Sequence, residues 1–284
     1  MSSAKDFFSV PSGSAPFYPV SIPYSCRFDS ARSCVLSRTP GSAGNRRTFT
    51  FSAWVKCCEP ANDTVIFSAG TAYTSDSTYF VVSFHNTGGI IVGGGATNWF
   101  WSSALFRDPS QWYHLLVAVD TTQATDTNRI KVYINGTQIA NGTGTPPSQN
   151  LDMAANYTYL HTLGKNSYGA VGYANEYIAD PYLIDGTVLT PSTFGEFSTQ
   201  NPNVWIPKTP TGLTYGTNGF HLDFADASAL GNDVSGNNND YTSSGLTTGD
   251  QMLDTPTNNH CTLNPLPLPT SPYVRCTLSE GNTQ

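Results

Sequence analysis

From Phe49 to Lys56 bulky and small side chains alternate at period two, the pattern of a strand with one buried face. Val65-Ile-Phe67 and Tyr79-Phe-Val-Val-Ser-Phe84 follow, each bounded by polar turn residues. Ile90-Ile91-Val92 lies between Gly88-Gly89 and Gly93-Gly94-Gly95, and two longer apolar runs come next, 112–119 and 129–134. The second run ends at Asn135-Gly136, the pair that supplies two positive-φ residues to a tight hairpin. Residues 177–184 predict a strand pair or a bulged strand, because Pro181 removes a ladder donor in the middle of the run. No apolar stripe of helical period appears. Residues 191–197 predict at most one short helical turn. Many short strands between turn signals predict an all-β sandwich or barrel.

Composition sharpens that expectation. The 25 Gly and 19 Pro favour turns, and charged residues make up only 12% of the 284 positions, so neutral hydroxyls and amides must cover the surface. The formal charge of −7 with 13 Lys and Arg argues against nucleic acid, which needs a concentrated basic face. No apolar run approaches the ~20 residues that span a bilayer, so no membrane insertion is expected. The opening Met1-Ser-Ser-Ala-Lys-Asp6 leads into no apolar stretch, which predicts synthesis in the cytoplasm.

The two ends differ from the middle. Residues 1–24 place Pro11, Pro16, Pro19 and Pro23 among Phe7, Phe8, Phe17, Tyr18 and Tyr24. That density of proline forbids helix and central strand, and the aromatics are those of an extended arm that docks on a neighbour. Residues 263–284 carry Asn264-Pro-Leu-Pro-Leu-Pro269, a polyproline-like second arm. The expected organisation is an arm over 1–24, a sandwich over 25–262 with its core in 26–200 and a completing segment over 201–262, and the second arm. Six cysteines stand at 26, 34, 57, 58, 261 and 276, none in a C-x-x-C pair. Cys57 and Cys58 face opposite sides of a strand, and free thiols are expected. An end-to-end disulfide needs the first and last strands to pair.

Trp112-Tyr113-His114 with Leu-Val-Ala-Val-Asp120 and then Lys131-Val-Tyr-Ile-Asn-Gly136 resembles the central hairpin of laminin-G-like domains. Gly172 to Gly186, with Leu189 and Phe194, resembles their terminal strand and the turn after it. This likeness to the laminin-G/concanavalin A-like group covers about 26–200 and implies a jelly-roll of two antiparallel sheets with extended Pro-rich termini. Leu36 to Val55, Val119 to Thr125, Tyr215 to Phe224, Ser228 to Asp240 and Asp254 to Asn258 resemble laminin-G-like virion structural proteins of marine bacteriophages. That resemblance implies a virion surface protein present in multiple copies on capsid or tail components. The cysteines at 34, 57 and 58 depart from the pattern. The chain has no long fibrous region, so a head decoration or small appendage fits its length better than a fibre shaft.

Candidate chemistry is sparse. Glucan hydrolases that share this fold resemble one another in a strand motif Glu-x-Asp-x-x-Glu, whose carboxylates suit a retaining mechanism. Here only Glu176 and Asp180 stand four apart, and no third acid follows. Hydrolysis is therefore disfavoured, and no catalytic residue is expected. His114 and His221 fall inside strands as structural histidines. Gly93-Gly94-Gly95 lacks the Lys and helix of a phosphate loop. Asp223, Asp226, Asp233 and Asp240, with Asn237 and Asn239, offer hard oxygens that suit calcium, but the same residues make turns through local hydrogen bonds, which is the preferred reading. Glycan binding rests on the loop aromatics Tyr73, Trp99, Trp101 and Tyr168 with Asn98 beside them, and at least one of the two tryptophans is expected to alternate into the core. The expected function is a non-enzymatic virion surface protein that also holds a host surface polysaccharide. A free-standing carbohydrate-binding module or receptor-binding tail protein is the alternative, and a glycoside hydrolase the remote third.

Overall fold

The computed structural model describes residues 17–60, 62–95, 97–169 and 172–259. Within them the chain is all-β, with a few single-turn 3₁₀ helices and no α-helix. Strands β1 (Ser25–Phe28), β2 (Val35–Arg38), β3 (Thr48–Cys57), β4 (Thr64–Gly70), β5 (Tyr79–Phe84) and β6 (Ile90–Gly93) come first. Then follow β7 (Asn98–Trp101), β8 (Tyr113–Asp120), β9 (Ile130–Ile134), β10 (Thr137–Gln138), β11 (Leu160–Leu163) and β12 (Glu176–Asp185). The last five are β13 (Gly195–Phe197), β14 (Trp205–Pro207), β15 (Phe220–His221), β16 (Thr242–Ser244) and β17 (Gln251–Met252). One sheet runs β10-β9-β8-β3-β12-β1-β17, with β15 added on β12; the other runs β16-β2-β11-β4-β5-β6-β7. All pairings are antiparallel, and the two sheets pack as the expected jelly-roll sandwich.

Alternation along β3 sends Phe49, Phe51, Ala53 and Val55 between the sheets. Phe51 stacks on Phe67 of the facing sheet at 4.9 Å, and Phe49 meets Phe80 edge-on at 5.4 Å. Asn135 (φ 48°) and Gly136 (φ 79°) make the β9–β10 hairpin turn, as their residue types predict.

One expectation needs correction. The pattern at 49–56 predicts a strand buried on one face, yet Ser52, Trp54 and Lys56 on its other face are buried too. The segment after β12 is the reason. Phe194, Leu189, Leu213 and Tyr215 cover Leu116, Ala118, Tyr182 and Ile184, while Ile22 and Trp112 pack with Trp54. Residues 189–215 thus form a lid on part of the outer face of the eight-stranded sheet, while β15 and β17 join that sheet and β16 joins the other.

The chain ends meet. β1 pairs with β17, Ser25 opposite Met252. The Ile22 amide donates to Thr257 Oγ1 (3.0 Å), and that hydroxyl donates back to the Ile22 carbonyl (3.1 Å). Asp254 accepts from Lys56 Nζ (2.6 Å) and Trp112 Nε1 (2.9 Å). Residues 22–24 of the expected docking arm therefore belong to the sandwich, because Ile22 and Tyr24 bury apolar surface on their own domain. Phe17 and Tyr18 contact each other edge-on, and Phe7 and Phe8 lie outside the described residues. Cys26, Cys34 and Cys57 are buried free thiols, Cys58 is an exposed one, and Cys261 and Cys276 lie outside the described residues.

Candidate functional site

Tyr73 and Tyr168 are 95 positions apart in sequence and adjacent in space. β5 turns Tyr79 and Val81 away from the core, where they pack with Val65 and Tyr168 on the outer face of the seven-stranded sheet. The Tyr73 ring lies 5.7 Å from that of Tyr168, inclined by 30°, and both stand edge-on to Tyr79, at 5.3 and 5.0 Å. Tyr79 donates its hydroxyl hydrogen to Asn166 Oδ1, and burial pushes its ionisation far above the ordinary phenol range. Tyr73 is 51% exposed, so the cluster has a buried base and an open rim.

Two rigid loops hold it. In loop 71–78 the Thr71 amide donates to the Thr78 carbonyl, and the Thr78 hydroxyl bonds Ala72 O (3.1 Å) and Ser75 O (3.0 Å). In the loop after β11, the Ser167 amide donates to Ser68 Oγ (2.6 Å) and the Thr162 hydroxyl to Lys165 O (2.6 Å). The glycine run explains itself here. A Cβ on Gly95 would stand 2.4 Å from the Ser75 amide nitrogen, and one on Gly94 2.4 Å from the Trp99 ring and 2.6 Å from the Asp76 carboxylate. These glycines let two loops approach closely rather than lend flexibility.

The other glycan candidates separate. Trp99 is 1% exposed and packs between the sheets near Phe80 (6.2 Å), so it is withdrawn as a platform: regular alternation would place it on the face of Trp101, but the β6–β7 register slips between Val92 and Gly93, and the bulge at Trp99 turns it inward. Trp101 faces outward, half-buried against His85 at 4.5 Å. Its cross-strand row through Ile91 and Ser83 lies four residues along β5 from Tyr79 and two strands over, about 16 Å away by strand geometry. Asn98 stands at the sheet edge opposite Gly93, its backbone carbonyl accepting from the Thr145 amide.

The two carboxyls that suggested hydrolysis do not share a face. Between Ala179 and Tyr182 the β12–β3 register shifts by one residue, and Asp180 takes φ 52°. This bulge carries Asp180 to the outer surface, where it meets His221 Nε2 at 2.6 Å. Glu176 stays in the interior, 0% exposed, paired in register with Cys57 and Phe28. Neither of its oxygens has a partner, and burial pushes its carboxyl well above the usual range.

Residue types alone did not suggest the other polar constellation, Ser52, His114 and Trp205. His114 Nε2 lies 2.9 Å from Ser52 Oγ, the contact a nucleophile and its base would make. On the far side of the ring, however, Trp205 Nε1 donates to His114 Nδ1 (3.2 Å). An indole N–H can only donate. Nδ1 is therefore bare, Nε2 carries the proton, and the imidazole donates to Ser52 instead of accepting from it. Burial lowers His114 to about 3, so it stays neutral, and both side chains are shut from solvent. The arrangement braces Trp205 against the sheet. A Trp beside proline in Val204-Trp-Ile-Pro207 was the available signal, but nothing local tied it to His114.

The acidic loop is organised by its own backbone. Asp233 accepts from the amides of His221, Ser235 and Asn239 (2.9 Å each), Asp240 from the Asp233 amide, Asp223 from Ala225 and Asp226 from Ser228. Asn237 and Asn239 donate to the carbonyl of Gly219. Among the described residues no three His, Cys, Asp or Glu side chains are grouped to hold a metal ion.

A family model for the concanavalin A-like lectin/glucanases superfamily matches residues 33–191. Among solved structures, a candidate carbohydrate-binding protein from Bacteroides ovatus superposes with a TM-score of 0.50 at 15% identity, covering 80% of this chain and 58% of that one. The native heptameric SAP-like pentraxin of Limulus polyphemus gives 0.44 at 17% identity, covering 60% of this chain and 80% of that one. Trypanosoma rangeli sialidase in complex with sialic acid gives 0.38 at 19% identity; it covers 52% of this chain, which spans only 22% of the sialidase. No curated protein has a matching sequence. At 15% identity the likeness to the Bacteroides ovatus protein bears on the fold alone.

Proposed function

Because the chain belongs to the concanavalin A-like lectin/glucanases superfamily, we propose that it is a non-catalytic glycan-binding domain displayed on a virion surface. The observation that carries the binding role is the Tyr73–Tyr168 pair on its Tyr79 base. Exposed aromatic edges and faces on rigid loops cover sugar C–H surfaces at little entropic cost, and the Ser- and Thr-rich rim of loop 71–78 offers hydroxyl partners. Holding is favoured over hydrolysis by the bulge that parts Glu176 from Asp180 and by the proton position on His114. A glycan array followed by titration of the best hit tests the role. Tyr73→Ala and Tyr168→Ala are each expected to weaken binding about ten-fold, roughly 1.4 kcal/mol. No hit on the array, or variants that bind like the parent, would overturn it.

The virion placement is supported by the resemblance of the 36–55, 215–224 and 228–240 stretches to phage surface proteins. It is also supported by the clasped ends, which bring the last described residues on both sides to one place on the sandwich. An N-terminal arm that precedes this clasp suits attachment to a capsid or tail neighbour. Deleting residues 1–16, which spares Ile22 and Tyr24, should abolish incorporation into particles without lowering the melting temperature. Undiminished incorporation would remove the arm from the proposal.

A further inference from the structure

The hairpin β13–β14 belongs to neither large sheet, and it walls an open cleft of about 510 Å³ with Thr190, Pro191, Ser192, Phe197, Trp205 and Lys208. Phe197 and Trp205 are register partners with rings 5.0 Å apart, edge to face. Phe197 is 47% exposed. The indole has no freedom to turn. His114 holds its N–H and stacks beneath it, inclined by 23°, and Gly136 and Gly195 approach so closely that a Cβ on either would stand within 2.6 Å of the ring. A fixed, half-exposed Trp–Phe ridge beside Pro191, rimmed by Lys208 and the Ser192 and Thr190 hydroxyls, is the surface that captures polyproline-type segments. Those segments arrive already extended and leave their backbone carbonyls free for donors.

We propose that the occupant of this cleft is the chain's own Pro265-Leu-Pro-Leu-Pro269. The described chain stops at Asn259, whose side chain bonds Ser110 O (3.2 Å) and Lys56 Nζ (3.3 Å). From Ser110 to His114 is four residues, at most about 13 Å, and Trp205 Nε1 lies 3.2 Å beyond the His114 ring. Six extended residues, 260–265, reach about 20 Å. The Pro-Leu run, which continues four residues beyond 265, is therefore within reach of the Trp205 ridge. Trp205 packs against the same apolar cluster of Ile22, Trp54 and Trp112 that flanks the exit of the chain, so the path runs over one continuous face. The cleft is thus an intramolecular dock that holds the C-terminal arm against the lid.

The test uses the full chain with p-benzoylphenylalanine in place of Phe197, an exposed position. After irradiation at low concentration, a cross-link within the same chain to residues 264–269 is expected. Leu266→Asp with Leu268→Asp, both beyond the described residues, should cut its yield at least ten-fold with no change in melting temperature, and Lys208→Ala should lower it several-fold. Excess synthetic peptide Asn-Pro-Leu-Pro-Leu-Pro-Thr should compete with it. Cross-links to residues 1–16, cross-links only between chains, or no cross-link in a folded protein would each overturn the proposal.

Discussion

Glu176 offers a quantitative check on how this sandwich is built. Its carboxyl sits in the interior beside Cys57 and Phe28, with both oxygens unpartnered, and it is held in the neutral form by burial. The ordinary value is 4.5, so above that pH the unfolded chain has released a proton that the folded chain keeps. Stability then falls as pH rises, by about 1.4 kcal/mol per unit, over the window between 4.5 and the raised folded value. Glu176→Gln abolishes the titration but keeps the polar burial. Relative to the parent it should gain stability as pH rises above 4.5, at up to about 1.4 kcal/mol per unit. Glu176→Leu also removes the unpaired polar atoms, worth about 1–3 kcal/mol more. Urea unfolding of the three proteins at half-unit intervals from pH 5 to 8 measures this, and the histidine contributions common to all cancel in the differences. A parent–Gln difference that is flat with pH would mean that the folded carboxyl ionises like the unfolded one, and the reasoning would fail.

Other predictions concern single contacts. Asp250 is fully buried, receives Arg27 and Arg32, and is held down to about 2 by those guanidiniums and the Thr247 donors against the opposing cost of its burial. Asp250→Asn should cost about 3–5 kcal/mol at neutral pH in thermal or urea melts, with the difference shrinking as pH falls from about 4 towards 2. His114 should show a protonated Nε2 and a bare Nδ1 in nitrogen NMR with no titration down to about pH 4, and a fluorophosphonate probe should leave Ser52 unlabelled; labelling would reopen the hydrolase reading. Gly94→Ala forces apart the Trp99 ring and the Asp76 carboxylate, so it should cost about 1–3 kcal/mol and displace Tyr73, lowering glycan affinity together with stability.

Much of the sandwich is visible locally. The alternation at 49–56, the Asn135-Gly136 turn and the interrupted run around Pro181 locate strands because each signal lies within a few residues of the structure it forms. The site is less visible. Tyr73 and Tyr168 are each plausible alone, but their pairing depends on β4, β5 and β11 lying side by side. Trp99 and Trp101 share a parity on β7, and only the bulge against β6 turns the first inward, which no residue in Asn98-Trp-Phe-Trp101 announces. The spacing of Glu176 and Asp180 puts them on one face of a regular strand, and a single extra residue at the bulge undoes it.

The sequence by itself determined that this chain is all-β, where its longest strands run and which of its turns are tight. Period-two burial and positive φ are properties of neighbouring residues. Only the tertiary structure decided which faces are closed. Residues 189–215 return to cover a sheet that its own pattern leaves half open, and the first and last strands meet across 227 positions. Such long-range closure depends on shape and apolar area summed over the whole domain, and it also sets which aromatics remain free to hold a ligand.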